Sequence, residues 1–167
     1  MSQILVTGAN GFVGRGLCDA LRTRGIAVVP AVRKINQASD VAVGDLSAAT
    51  DWRLALQNCD AVIHLAARVH VMNETASDPL DAFRSVNVEA TVNLARQAIT
   101  AGVSRFVFVS SVKVNGEETS ERPYTAFDEP APTDPYGISK LEAEVALKKL
   151  AEETGLEVVI VLSLIHI

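Results

Sequence analysis

The sequence predicts an α/β fold in which helices flank a doubly wound parallel sheet. Two observations lead to this fold class. Strand and helix patterns alternate along the whole chain, and the strand segments are short apolar runs typical of strands buried on both faces. The 167 residues, 49% of them hydrophobic, are enough for one domain with a substantial core. We expect the strand order 3-2-1-4-5-6.

Each element is predicted from its pattern and its ends. Short apolar runs predict strands at residues 4–7, 26–32, 41–43, 61–65, 105–109 and 156–161. Apolar residues at three- and four-residue steps predict a long helix over 80–101, and shorter helices are expected over 11–24 and 51–57. Asp134 is a suitable N-cap with Pro135 at the first helical position. A last helix is therefore predicted from there to about Glu153, after a long polar loop over 112–133.

Composition and charge exclude several classes of function. The net charge is −5 and no basic cluster compensates it, which argues against a nucleic-acid partner. Cys18 and Cys59 match neither a metal-binding spacing nor a disulfide framework, so we expect no metal and a cytoplasmic protein. The first residues lead directly into a strand, and we expect neither a signal peptide nor a membrane span.

Three glycines between the first strand and the first helix predict a dinucleotide site. Gly8, Gly11 and Gly14 permit a tight turn, close approach of the backbone to a pyrophosphate and close packing of helix against strand. The amides of the following helical turn, including Phe12 and Val13, are donors for the same group. The alternative is a turn that needs glycine for backbone reasons alone.

A serine, a tyrosine and a lysine form the candidate catalytic set. Tyr136 and Lys140 lie one turn apart, so they share a helix face, and the ammonium can lower the tyrosine pKa from about 10 toward neutrality. Ser111 follows the strand that includes Val109, at the carboxyl end where such sheets bind ligands. It can hold the reacting oxygen and the tyrosine, while Tyr136 exchanges the proton. Ordinary structural roles are the alternative for each residue.

The G-x-x-G-x-x-G spacing, together with these residues, resembles the extended short-chain dehydrogenase/reductase family of nucleotide-sugar epimerases, a Rossmann-type fold. The resemblance covers residues 1 to about 161. It implies that Asp45 and Leu46 hold adenine, and that Asn87 steadies the active-site backbone. It places Leu65, Ala66 and Ala67 beside the nicotinamide ribose, which Lys140 would also bind. It further places Val109 and Tyr136 at the cofactor and implies dimers formed through the helices at 80–101 and 135–153.

The cofactor is NAD or NADP by this resemblance. Family members that prefer NAD end the second strand with an acid, but Val32 stands there, followed by Arg33 and Lys34. These two cations, with no carboxylate at the strand end to repel an anion, would attract a 2′-phosphate, which favours NADP. A solvated basic strand end is the alternative.

The substrate implied by the resemblance is a UDP-linked hexose that is epimerised at C4 through a 4-keto intermediate. Val112 and Lys113 replace the acidic residues of the 4,6-dehydratases, and Asn115 replaces the tyrosine usual in galactose-type epimerases. The branch resembled belongs to bacterial surface-polysaccharide synthesis and includes ketoreductases. An NADPH-dependent 4-ketoreductase and a non-catalytic NAD(P)-binding scaffold are therefore the alternatives.

Six further residues have predicted roles. The sugar is either contacted by His70, Asn73, Lys113 and Asn115, or these are ordinary loop residues. We predict that His64 is a core residue and that Trp52 packs a short helix onto the sheet.

The last six residues differ from the family pattern. Residues 162–167 match the translation of a transposon end used in sequencing libraries. We therefore expect residues 1–161 to form the NAD(P)-binding domain with the catalytic residues, and 162–167 to be a non-native tail on a truncated, inactive fragment. A short natural paralogue with an apolar tail is the alternative.

Overall fold

Six parallel strands form one sheet with the order β3-β2-β1-β4-β5-β6, which confirms the predicted fold class and strand order. The computed structural model describes residues 3–69, 78–119 and 122–164. The strands are β1 Gln3–Thr7, β2 Ala27–Val32, β3 Val41–Ala42, β4 Cys59–His64, β5 Arg105–Ser111 and β6 Glu157–Ser163. The order reverses between β1 and β4, which opens a crevice at their carboxyl ends.

Helices connect these strands. They are α1 Phe12–Thr23, α2 Pro79–Arg84, α3 Ala90–Thr100 and α4 Pro135–Thr154. Asp134 caps α4 by accepting a hydrogen bond from the Gly137 amide, as its sequence position predicts. A 3₁₀ turn, Val112–Val114, follows β5 directly. None of the helices that the structure describes is long and apolar enough to cross a membrane.

Two predicted helices differ in the structure. The helix predicted over 51–57 is wrong: this segment forms turns, with a single helix-like bond from Leu56 N to Trp52 O at 2.9 Å. Gln97 of α3 binds both Thr50 O and Trp52 N, at 2.8 Å each, so the backbone at the start of the segment is held by another element. Trp52 is nevertheless fully buried in the core, although there is no helix for it to pack.

The long helix predicted over 80–101 is interrupted by a π-helical turn, Ser85–Glu89, between α2 and α3. Such turns carry one extra residue per helical repeat and are frequent at functional sites. The turn contains Asn87, whose side chain is buried.

The two faces of the sheet carry separate apolar clusters. The larger cluster joins the sheet to α3 and α4 through residues such as Leu94, Phe106 and Leu147. The smaller one joins it to α1 through residues such as Val6 and Cys18. In β6, Leu162 and Ser163 pair with Ser110 and Ser111, so the first two residues of the predicted tail continue the strand. The domain boundary after residue 161 stays a prediction, and residues 165–167 lie outside the described residues.

Candidate active site

The loop between β1 and α1 is shaped by close backbone contacts that only glycine permits. Gly8 has a φ of +64°, and a Cβ on it would lie 3.1 Å from the Ala66 amide nitrogen. A Cβ on Gly14 would lie 2.2 Å from Gly8 O, so α1 contacts the loop directly. The Gly11 amide closes the turn onto Gly8 O at 2.9 Å. Phe12, at the first position of α1, is 93% exposed, so its side chain leaves the helix start open.

A cleft of about 1140 Å³ opens at the carboxyl ends of β1, β2 and β4. Several residues predicted to bind the cofactor line it, namely Gly8, Gly11, Arg33, Asp45, Leu46, Leu65, Ala66 and Ala67. The first amides of α1, those of Phe12, Val13 and Gly14, have no partner within the helix because no preceding turn exists. A glycine cradle, free helix-start amides and a cleft at the strand reversal together fit a dinucleotide.

The floor of this cleft is held by a buried threonine and histidine. Thr7 Oγ1 accepts hydrogen bonds from the Leu65 and Ala66 amides, at 3.1 Å each. Its hydroxyl proton is therefore directed to His64 Nδ1, 2.7 Å away. His64 Nε2 must then carry the ring proton, which it donates to Thr91 Oγ1 at 3.0 Å. Burial, with a smaller contribution from Lys140, lowers the pKa of His64 to about 3, so the ring is neutral.

The same chain of hydrogen bonds continues to the last helix. Thr91 Oγ1 donates to Asn87 O at 2.8 Å. The Asn87 side chain clamps the backbone of Arg68 and donates to Ser139 Oγ at 3.0 Å. Ser139 in turn donates to Tyr136 O at 2.8 Å. Continuous polar contacts therefore connect the cleft floor to the turn of α4 that carries Tyr136.

Ser111 and Tyr136 are brought together as predicted from their positions. Ser111 ends β5, and Tyr136 lies in the first turn of α4. The Tyr136 ring contacts Phe83 edge-on at 6.1 Å between centroids. Burial raises the pKa of Tyr136 above 10, and the nearby Ser111 hydroxyl opposes that rise. The phenol is therefore protonated at neutral pH.

Lys140 does not act on Tyr136 as the sequence predicted. Its side chain is 2% exposed, and Nζ donates to Val109 O at 2.7 Å and lies 3.9 Å from the centroid of the Phe108 ring. Burial lowers the pKa of Lys140 to about 7, so the ammonium is only partly charged at neutral pH. The expected lowering of the Tyr136 pKa toward neutrality is wrong for this arrangement, because desolvation is the largest influence on both groups.

Lys113 carries a charge that does reach Tyr136. Its Nζ lies 2.5 Å from Asp134 Oδ2 and 3.2 Å from Glu117 Oε2, and these carboxylates raise the pKa of Lys113. The ammonium lowers the pKa of Tyr136 while Asp134 raises it. Asn115 is buried, with its amide nitrogen 3.4 Å from Thr125 O. His70 and Asn73, the other residues considered for the sugar, lie outside the described residues.

The end of β2 differs from its predicted electrostatics. Arg33 Nε lies 2.9 Å from Asp45 Oδ1, with side chains that are 73% and 87% exposed. The expectation that no carboxylate faces this position is therefore wrong, because Asp45 comes from a segment distant in sequence. An anionic 2′-phosphate at Arg33 would meet the Asp45 carboxylate as well.

Sequence reasoning missed Thr7, Thr91, Ser139 and Glu144, four buried polar residues that support the site. A usable signal existed for two of them. Thr91 follows Asn87 by one helical turn, and Glu144 follows Lys140 by one helical turn, so each shares a helix face with a predicted site residue. For Thr7 and Ser139, the partners that tie them to the site, His64 and Asn87, are distant in sequence and become visible only in the fold.

The family model of the NAD dependent epimerase/dehydratase family matches residues 4–164. The chain belongs to this family. It is 47% identical over 164 residues to a UDP-glucose 4-epimerase of Vibrio cholerae, a match that covers 95% of this chain and 50% of that protein.

Two solved structures share the fold of this family member at a TM-score of 0.80. One is a short-chain dehydrogenase/reductase superfamily protein of Agrobacterium tumefaciens with bound NAD, 36% identical, covering 95% of this chain and 48% of that one. The other is MoeE5 in complex with UDP-glucuronic acid and NAD, 32% identical, covering 95% and 52%. The chain thus spans about half the length of the relatives it matches.

Proposed function

We propose that this chain provides the NAD site and the acid/base residues of a nucleotide-sugar 4-epimerase acting on a UDP-hexose. The observation that carries the proposal is the meeting of Ser111, at the carboxyl end of β5, with Tyr136, in the first turn of α4, at the same sheet edge as the glycine-lined cleft. The Vibrio cholerae epimerase and the MoeE5 complex support a UDP-linked sugar and NAD.

The residues of this chain have distinct tasks in that reaction. Bound NAD supplies the hydride acceptor and donor at the sugar carbon. Tyr136 Oη holds or moves the proton of the sugar oxygen, and Ser111 Oγ fixes the direction of that oxygen. Because burial keeps Tyr136 protonated, its action as a base requires a nearby positive charge. In this structure Lys113 is the cation whose charge lowers the pKa of Tyr136, while Lys140 lies one helical turn further along α4.

We propose NAD rather than NADP as the cofactor. Arg33 Nε lies 2.9 Å from Asp45 Oδ1, so a 2′-phosphate attracted by Arg33 would also meet a carboxylate. Repulsion between the Asp45 carboxylate and a phosphate disfavours NADP, whereas the ribose hydroxyls of NAD can donate hydrogen bonds to a carboxylate. The NAD-bound Agrobacterium tumefaciens neighbour supports the same choice.

A net 4-ketoreductase is the second candidate, and the protonation of Tyr136 favours it. A protonated phenol is ready to donate to a keto oxygen without a prior loss of its proton. The discriminating assay, like the substitution test below, uses the full-length enzyme and gives it a UDP-hexose without added cofactor. Sustained interconversion of the 4-epimers supports the epimerase, whereas turnover of a 4-keto sugar alone, with consumption of reduced cofactor, contradicts it.

The substitution Tyr136→Phe tests the acid/base assignment. We expect sugar conversion to fall about 10²- to 10⁴-fold, because the proton-transfer group is lost while the ring packing remains. The affinity for NAD, measured by calorimetry, should change by less than about threefold. Tyr124→Phe is the matched control, since Tyr124 donates to Glu118 O in an exposed loop. Sugar conversion by Tyr136→Phe at the wild-type rate would refute the assignment and favour a non-catalytic NAD-binding role.

A further inference from the structure

A buried carboxylate lies one helical turn beyond Lys140. Glu144 is 4% exposed, and its Oε1 accepts a hydrogen bond of 2.5 Å from Ser110 Oγ. Its other oxygen lies 3.8 Å from Lys148 Nζ, which is largely exposed. Removing a carboxylate from water is costly unless charges or donors compensate it. The burial of Glu144 therefore requires donors or positive charges close to its carboxylate.

Ser110 connects this carboxylate to the candidate catalytic residues. It lies in β5 between Val109, whose carbonyl accepts a hydrogen bond from Lys140 Nζ at 2.7 Å, and Ser111, whose hydroxyl lies near Tyr136. Glu144 and Lys140 thus hold neighbouring residues of the same strand end from the same helix face. A shift of Ser110 would move the acceptor of Lys140 and the Ser111 hydroxyl together.

The charge of Lys140 depends on few groups. Glu144 raises the pKa of Lys140 and opposes the larger lowering by burial. His64 of β4 faces Lys140 but is neutral, and the protonated Tyr136 lies one turn earlier on α4. Lys140 also contacts the Val109 carbonyl and the Phe108 ring, which are both uncharged. Among the described residues, Glu144 is therefore the anion whose charge influences Lys140, from one helical turn away rather than through a direct ion pair.

We propose that Glu144 is a positioning residue for Lys140 and Ser111, acting as the counter-charge of the Lys140 ammonium and, through Ser110, as the clamp on the end of β5. Ser110 is then a structural partner of Glu144, and Ser111 is the serine that faces Tyr136. The catalytic roles of Lys140 and Ser111 rest on the proposed function. The coupling of Glu144 to Lys140 does not, because it is a property of the folded chain.

The test of the charge coupling is an NMR titration of lysine side chains. Carbon-labelled lysine gives five side-chain signals, and Lys140→Met identifies the signal of Lys140 by its loss. The wild-type midpoint for Lys140 is expected near 7. Glu144→Gln keeps the size and the hydrogen bond to Ser110 but removes the charge, so the midpoint should fall by about one pH unit or more.

Glu142→Gln is the matched control. It removes one negative charge from the same helix, but Glu142 binds Arg84 at 2.6 Å and is only partly buried. The Lys140 midpoint in this variant should stay within about 0.2 units of the wild type. An equal midpoint in wild type and Glu144→Gln, or an equal shift in both glutamine variants, would overturn the proposed counter-charge.

Ser110→Ala tests the clamp separately. The carboxylate remains, so the Lys140 midpoint should move by less than about 0.3 units, but the strand end loses one hydrogen bond. Amide exchange over residues 109–111 should become about tenfold faster. Unchanged exchange would overturn the clamp.

Glu144→Asp covers the case in which Glu144→Gln fails to fold. It keeps the negative charge, so the Lys140 midpoint should stay near its wild-type value. A fall of about one pH unit or more in this variant would contradict the proposal. Failure of Tyr136→Phe to reduce sugar conversion would refute the proposed function while leaving this coupling intact.

Discussion

The cleft at the β1–α1 loop is walled by backbone, whereas the β5–α4 junction is built from buried polar side chains. At the loop, Gly8 and Gly14 bring main-chain atoms within about 3 Å of where a Cβ would be, and the neighbouring Phe12 side chain is exposed. At the junction, Lys140 and Glu144 are almost fully buried and each has a hydrogen-bond partner in β5. The first region depends on the absence of side chains, and the second on their charge.

This difference determines how each region can be disturbed. A backbone wall fails when volume is added, because close-packed main-chain atoms cannot move independently. A buried polar junction fails when a charge or a hydrogen-bond partner is removed, because the remaining group stays desolvated. Steric substitutions should therefore affect the loop most strongly, and pH should affect the buried polar chain.

The largest effect is expected from Gly14→Ala. The added methyl group would lie 2.2 Å from Gly8 O and 2.8 Å from Ala9 Cα, which separates α1 from the loop. We expect a loss of about 3 kcal/mol in the free energy of unfolding, measured with urea. The affinity for NAD should fall more than tenfold, because the helix start that faces the cleft is displaced.

Gly16→Ala on the same helix is the control. A Cβ there meets nothing within 4 Å, so this substitution should stabilise the protein by about 0.5 to 1 kcal/mol through its higher helix propensity. If both alanine variants had the same stability and NAD affinity, the loop would not depend on the close contact at Gly14.

His64 gives the second prediction, since it links the two regions through Thr7 and Thr91. Its pKa is about 3 in the folded protein and near 6.5 when unfolded, so the unfolded state binds the extra proton between these values. The free energy of unfolding is therefore unaffected by the titration of His64 above about pH 6.5, and it falls as the pH decreases from there toward 3. Between pH 7 and pH 5 we expect a loss of about 2 kcal/mol in the free energy of unfolding.

The variant His64→Gln isolates the contribution of His64 to the pH dependence of the free energy of unfolding. It cannot take up a proton, so the difference in slope between wild type and variant over pH 5–7 reports His64 and cancels every other titrating group. Nitrogen NMR of the wild type should show a neutral ring with its proton on Nε2 at pH 6. Parallel slopes for the two proteins, or a charged ring at pH 6, would contradict the buried neutral histidine.

Sequence reasoning succeeded for the loop and only partly for the junction, for a physical reason. Glycine spacing after a strand reports backbone geometry locally, so Gly8, Gly11 and Gly14 could be placed before any tertiary contact was known. Ser111 and Tyr136 followed from the ends of their elements. The ionisation of Lys140 did not, because it depends on burial against Phe108 and on the charge of Glu144.

The same limit explains the wrong electrostatics at Arg33 and the wrong helix over 51–57. Spacing along the chain places Arg33 at the end of β2, but Asp45 reaches it only after β3 has paired with β2. The helix predicted over 51–57 failed because Gln97, distant in sequence, binds the backbone there. Long-range partners decide protonation and local backbone form, and one sequence contains no direct record of them.

The smallest expected effect concerns the cofactor choice at the loop side of the cleft. Asp45→Asn removes the carboxylate that lies 2.9 Å from Arg33, so the affinity for NADP should rise about three- to tenfold relative to NAD, measured by calorimetry. Arg33→Gln should change the ratio in the opposite direction. Asp51→Asn is the control. Asp51 also forms an exposed ion pair, with Arg53, but it is not among the residues that line the cleft. Salt should reduce the Asp45→Asn effect, since both side chains are largely exposed. An unchanged ratio in Asp45→Asn would show that the charge at the end of β2 does not select the cofactor.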